Sequence, residues 1–182
     1  MVVGLGNPGA EYDRTRHNIG FDIARELIDR WELPKSKSKY RGLLSEGRAG
    51  AGGPRVAILQ PQTYMNDAGR SVGPARGSLK VPLDRLLVLH DEIDLPFGEV
   101  RVRLGGGLAG HNGLKSLKQE LGSADFARVR VGVGRPPTTD PERVAAYVLS
   151  RFAEPREEVA AVVERAADAA ESIVLGRTKL DS

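Results

Sequence analysis

Strand-like runs stand at residues 1–5, 42–48, 55–60, 86–90, 99–104 and 128–134, with helical patterns between several of them. That alternation directs the chain to an α/β fold. Phe21, Ile23, Ala24, Leu27, Ile28 and Trp31 share one face of a first helix, which Pro34 is predicted to end. Val159, Val162, Val163, Ala166, Ala170 and Ile173 line a last helix closed by Gly176. These two helices are predicted to cover the sheet. The Gly50–Pro54 turn joins its flanking strands too tightly for a crossover helix, so at least one strand pair is antiparallel and the sheet is mixed. The length of 182 residues suits a single domain over 1–182, with neither an internal repeat nor a linker. The glycine-rich stretch 105–110 is the most flexible, standing between a strand and a helix that begins near Asn112.

Composition narrows the chemistry. The absence of cysteine excludes a disulfide framework, zinc ribbons and thiol catalysis. Met1-Val2-Val3 leads straight into a glycine turn rather than a signal peptide, and no apolar run reaches membrane-spanning length. The expectation is a cytoplasmic protein with no membrane partner. A net charge of +3 is too small for bulk attraction to polyanions, so any such site must come from local clusters. Candidates are Lys35–Arg41, Arg101/Arg103, Lys115/Lys118 and Arg128/Arg130.

Two familiar patterns mislead. Gly4-Leu5-Gly6-Asn7-Pro8-Gly9 has the spacing of a dinucleotide fingerprint, but Pro8 removes an amide from the turn. No helix opens at Gly9, and the acidic candidates Asp22, Glu26 and Asp29 fall inside a helical pattern rather than at the end of a second strand. Gly69-Arg70-Ser71-Val72-Gly73 matches GxSxG, and Asp91 and His111 follow in the chain order of a hydrolase triad. A nucleophile elbow requires a sharp turn directly after a strand, whereas Ser71 lies in a predicted helix starting near Asn66, on a small-residue packing face.

The three histidines all fall near element ends: His17 before the first helix, His90 at the end of an apolar strand, and His111 after the glycine loop. Ligands of open α/β sheets collect beyond the carboxyl ends of strands, where Asn7, Asp91 and the residues after Gln60 should meet. Each has an innocent alternative: a turn for Asn7 and Asp91, helix caps for Asn66 and Asn112, a surface position for His17. Taken together, three amides, an imidazole and a carboxylate suit hydrolysis by activated water, with neutral donors on a tetrahedral oxyanion. A metal site of His90, Asp91, Glu92 and Asp94 ranks lower, because consecutive strand residues point to opposite faces.

The segments V-V-G-L-G-N-P-G-A-E-Y, T-R-H-N-I-G, Q-P-Q-T-Y-M-N-D-A-G, L-H-D-E-I-D-L-P-F-G and L-G-G-G-L-A-G-H-N-G-L-K-S-L together resemble the bacterial-type peptidyl-tRNA hydrolases, from residue 2 to about residue 150. The resemblance implies a single-domain, three-layer α/β/α fold with a mixed, mostly parallel twisted sheet. It also implies hydrolysis of the ester between a peptide and the terminal adenosine of tRNA, by a monomer without cofactor or metal. The glycines then shape a turn that presents Asn7.

Carried over by position, His17 resembles the general base and Asp91 the carboxylate that holds its imidazole. A place just before a helix is expected to favour neutral His17, and Asp91 to stabilise its imidazolium once formed. Asn66 and Asn112 resemble the substrate-binding asparagines, and Tyr12 and Tyr64 the aromatic contacts, with tyrosines able to stack on the single-stranded acceptor end. Arg103 and Arg130 resemble a clamp on a tRNA phosphate, which Lys115 and Lys118 would extend. The alternative is a solvated strand face, and the Lys35–Arg41 run is predicted to be a solvated loop. The chain departs from the family at its short lead before the first strand, at Leu108, and in the partly matching tail 176–182. Relatives that bind RNA or a partner without hydrolysis supply the competing function.

Overall fold

The computed structural model describes residues 1–181; Ser182, the last residue of the expected domain and tail, lies outside the described residues. Seven strands form one sheet: β1 (Val2–Gly4), β2 (Lys37–Lys39), β3 (Gly42–Arg48), β4 (Arg55–Pro61), β5 (Leu87–Glu92), β6 (Val100–Leu104) and β7 (Ala127–Gly132), in the order β2-β3-β4-β1-β5-β7-β6. The central strands β4, β1, β5 and β7 run parallel, and β2, β3 and β6 add antiparallel flanks. The mixture is therefore segregated. Parallel strands are apolar on both faces, as in Val2 and Val3 of β1, whose side chains enter opposite halves of the core.

Five helices complete three layers: α1 (Ile19–Arg30), α2 (Gly69–Ser78), α3 (Asn112–Leu121), α4 (Pro141–Val148) and α5 (Arg156–Val174). The first and last helices, α1 and α5, do cover the sheet, but both lie on one face, with Leu27, Leu89, Val129 and Val162 in their core. The other face is covered by α2 and α3 through Val72, Leu114, Leu117 and Val88. Helix α1 stops at Arg30, short of Pro34, because Glu32 takes a left-handed conformation at φ 50°.

Lys37–Lys39 corrects the loop expectation: its side chains are solvated, yet its backbone pairs with β3 as an edge strand. Nothing apolar alternates there, and lysines suit an unpaired edge. The hairpin turn is Tyr40-Arg41, with φ of 54° and 52°, in place of the Asn-Gly that would have signalled it. Ser71 lies fully buried within α2, and a Cβ at Gly42 would sit 3.0 Å from its Oγ, so it is a packing residue on a helix.

The contact that places the site is glycine on backbone. A Cβ at Gly20 would overlap the carbonyl oxygens of Leu5 and Leu89, and one at Gly4 would overlap the carbonyl of Gly20. The first turn of α1 thus rests directly on the end of β1 and the middle of β5, two residues before Asp91, which brings the residues just before the helix beside that carboxylate.

Candidate active site

Beyond the carboxyl ends of β1, β4 and β5 opens a cleft of about 650 Å³ lined by Asn7, Tyr12, His17, Tyr64, Asn66, Asp91, His111, Asn112 and Lys115, among others. Seven candidate catalytic and substrate residues from five sequence segments therefore share one cavity. His17 sits in the 3-10 turn Arg16–Asn18 that runs into α1, and Asp91 is the fifth residue of β5. His17 Nδ1 lies 3.0 and 2.9 Å from the two oxygens of Asp91. His111 Nε2 lies 2.9 Å from Asp91 Oδ1. All three side chains are buried.

Hydrogen bonding fixes the tautomers. His111 caps α3: its Nδ1 accepts from the amides of Gly113 and Leu114 at 3.1 and 3.3 Å, so its proton is on Nε2 and is donated to Asp91. This role belongs to His111 rather than Asn112, which is the first residue of α3. With Asp91 accepting, His17 carries its proton on Nδ1, which leaves the Nε2 lone pair free. Burial alone would lower the His17 pKa, but the charge of Asp91 and its hydrogen bond outweigh burial, and the net shift is upward. The expectation that the helix end would govern His17 is thereby corrected, since a full charge at hydrogen-bond distance exceeds a partial dipole charge. For Asp91 burial pushes upward, yet the paired imidazoles hold its carboxyl well below the usual range.

His17, Asp91 and His111 carry donor atoms close enough together for a metal ion. Their atoms are instead engaged with one another across N–H···O bonds, and His111 Nδ1 is committed to backbone amides. The other proposed set does not converge. His90 is fully buried, with Nδ1 bonded to the Asp91 carbonyl, and burial followed by neighbouring His111 lowers its pKa to about 3. Glu92 pairs with Arg130 at 2.9 Å and Asp94 with Arg135 at 2.6 Å.

Asn7 is held on three sides. Asn18 Oδ1 accepts from the Asn7 amide at 2.8 Å, and Asn18 Nδ2 donates to the Asn7 carbonyl at 2.9 Å. Asn7 Oδ1 accepts from the Met65 amide at 2.7 Å, so Nδ2 is the end left for the cleft. Asn66, in the next 3-10 turn, and Asn112 are exposed. Tyr12 and Tyr64 meet edge to face at 6.4 Å between centroids, and Tyr64 is 59% exposed.

The arginines separate into different roles. Arg101 faces Arg130 and Arg103 faces Arg128 across the β6–β7 ladder, so all four share one sheet face. Arg128 is buried, correcting the solvated-face alternative for that residue: its guanidinium donates to the carbonyls of Gly106, Gly107 and Ala124 and holds the glycine loop. Arg130 donates to Glu92, Arg101 to Glu99, and Arg103 is exposed beside Gly106. Neither Arg103 nor Arg130 is among the cleft residues. Leu108 packs against the α2/α3 core, which accounts for an apolar residue in that loop.

Sequence reasoning missed two parts of this site. Asn18 sat inside T-R-H-N-I-G, but its bonds to Asn7 span 11 positions and leave no periodic trace. Helix α4 supplies Pro141, Val144, Ala145 and Val148 to the cleft wall. Its signal was present as Asp140-Pro141-Glu142: the Asp140 side chain caps the Glu142 amide at 3.1 Å, with proline at the first helical position.

A family model described as peptidyl-tRNA hydrolase matches residues 1–181. The chain is 48% identical over 177 residues to a peptidyl-tRNA hydrolase of Geobacillus thermodenitrificans, covering 96% of this chain and 92% of that protein. It is 44% identical to one from Oceanobacillus iheyensis over 184 residues, covering 100% of this chain and 95% of that protein. A crystal structure of peptidyl-tRNA hydrolase from Acinetobacter baumannii superposes with a TM-score of 0.82 at 37% identity, over 95% of this chain and 85% of that one.

Proposed function

The chain belongs to the peptidyl-tRNA hydrolase family, and from that membership we propose how its own residues carry out the reaction. It is an enzyme that hydrolyses peptidyl-tRNA. In our reading, His17 is the general base. Its Nε2 takes a proton from a water molecule whose oxygen bonds to the ester carbonyl carbon, and Asp91 stabilises the imidazolium that results. The tetrahedral oxyanion is met by neutral amide donors, for which Asn7 Nδ2 and the Asn112 side chain are available in the same cleft. When the intermediate collapses, the bond to the tRNA 3′ oxygen breaks and that oxygen takes the proton from His17. The products are a free peptide carboxyl group and a tRNA 3′ hydroxyl.

Asn66 contributes a further amide to the substrate, and Tyr12 and Tyr64 stack on the unpaired 3′ end. Lys115 and Arg103, with Arg130 partly engaged by Glu92, supply phosphate contacts along the acceptor stem. The enzyme works as a monomer in the cytoplasm. No described helix is long and apolar enough to cross a membrane. The observation that carries the reading is the hydrogen-bonded His17–Asp91 pair at the floor of a cleft walled by amides. The test is incubation of the pure protein with N-acetylated aminoacyl-tRNA. Release of free tRNA by catalytic amounts of protein is expected, and stoichiometric binding without release would refute it.

A further inference from the structure

Helix α4 forms one wall of the cleft, yet none of its residues is buried, so its own packing holds it weakly. Its attachment runs through the turn that carries His17. Arg16, the residue before His17, is buried at 6% exposure. Its backbone amide donates to the Ser150 carbonyl at 3.0 Å. Its Nη1 donates to the Tyr147 carbonyl at 3.1 Å and also to the Ser150 hydroxyl. The guanidinium carbon stands 3.9 Å over the centre of the Tyr147 ring. Tyr147 is fixed in turn, its hydroxyl donating to the Val133 carbonyl at 2.6 Å. Among the described residues Arg16 has no carboxylate partner, so its charge meets only one carbonyl, a hydroxyl and aromatic faces.

The guanidinium's contacts with the Tyr147 carbonyl and the Ser150 hydroxyl at the C-terminal end of a helix, together with the stacked ring, make a directional clasp which a lysine cannot reproduce; the backbone bond to the Ser150 carbonyl is common to any residue here. With the cleft taken as the hydrolytic site, we propose that Arg16 is a positioning residue that clasps α4 to the catalytic turn and fixes the wall against which substrate packs. It does not touch the reacting atoms. Loosening α4 therefore weakens productive binding while the His17–Asp91 pair, which uses other atoms, is left in place.

The test is Arg16→Met in the full chain, read by kinetics on N-acetylated aminoacyl-tRNA and by amide hydrogen exchange without substrate. KM is expected to rise roughly three- to tenfold, with kcat within about threefold and the acid limb of the pH profile unmoved. Exchange over residues 141–151 is expected to accelerate while the central strands stay protected. Arg16→Lys should recover less than half of the KM effect. Tyr147→Leu leaves the His17 turn untouched and guards against a folding defect in the first variant. It should raise KM similarly, and the double variant no further than the larger single effect. Unchanged KM and exchange in both single variants would overturn the proposal. So would a fall in kcat with a shifted acid limb, since Arg16 would then act through His17. The exchange measurement stands whether or not the wild-type protein releases tRNA, so failure of the clasp and failure of the hydrolytic reading are distinguishable.

Discussion

Replacing Asp91 by asparagine probes the cluster at its centre, because one carboxylate accepts from two imidazoles and an amide of the same shape cannot. Oδ1 lies 3.0 Å from His17 Nδ1 and 2.9 Å from His111 Nε2, while Oδ2 lies 2.9 Å from His17 Nδ1. The NH₂ of asparagine must occupy one of these places. At Oδ2 it meets the His17 N–H and drives that ring to the Nε2–H tautomer, leaving no lone pair toward the cleft. At Oδ1 it meets the proton of His111, which cannot move to Nδ1 without losing the α3 amides. Strand β5 also holds the residue in place, so relief by movement is small.

A base in the wrong tautomer costs about 10⁴ in turnover in the serine-protease triad, and here a loss of kcat of ~10² to 10⁴ is expected. The pH dependence carries an independent sign. The base acts as neutral imidazole, so the rate falls as pH drops through its pKa, which Asp91 holds above the ordinary 6.5. In Asp91→Asn the charge is gone and burial remains, so the acid limb of kcat/KM should move below that value, each unit being about 1.4 kcal/mol. The assay is tRNA release from N-acetylated aminoacyl-tRNA across a pH series. A limb at the wild-type pH with kcat within about threefold would refute the role of Asp91.

Asn7→Asp keeps an oxygen for the Met65 amide but turns a second oxygen to the cleft in place of NH₂, which offsets a free α-ammonium. The ratio of kcat/KM on blocked to free aminoacyl-tRNA should therefore narrow by roughly tenfold or more, and an unchanged ratio would place discrimination elsewhere. Arg103→Ala and Arg130→Ala should each lower the salt slope of tRNA binding by about one, and normal slopes would return Arg103 to the solvated face and leave Arg130 as the partner of Glu92. Gly20→Ala forces a Cβ onto the carbonyls of Leu5 and Leu89, so urea unfolding should show a loss of ~1 to 3 kcal/mol. A loss under about 0.5 kcal/mol would mean the α1–sheet contact is looser than described.

Much of this molecule was legible because its elements follow local rules. The apolar run of β5, the periodic faces of α1 and α5 and the start of α3 all carry their own local signals. Elements that depend on a partner rather than on their own pattern carried little: strand β2 had no signal of its own, and helix α4 only its Asp140-Pro141-Glu142 start. Strand β2 is three exposed residues whose only sheet credential is pairing with β3. Helix α4 is clasped from Arg16, more than a hundred positions away. In the site, residue types and end positions announced His17, Asp91 and Asn7. The commitment of His111 to Asp91, and of Arg128 to the glycine loop rather than to solvent, depends on hydrogen bonds that only the fold brings together. Asn18 belongs with these, since its side chain serves another residue's backbone.

The central claim is that His17 activates the water. Its most direct test is single-turnover hydrolysis of N-acetylated aminoacyl-tRNA by His17→Ala at saturating protein, with tRNA affinity measured alongside. The account predicts a rate lowered by ~10² to 10⁴ with affinity within about threefold of wild type. A wild-type rate in His17→Ala would contradict it and move the base elsewhere in the cleft.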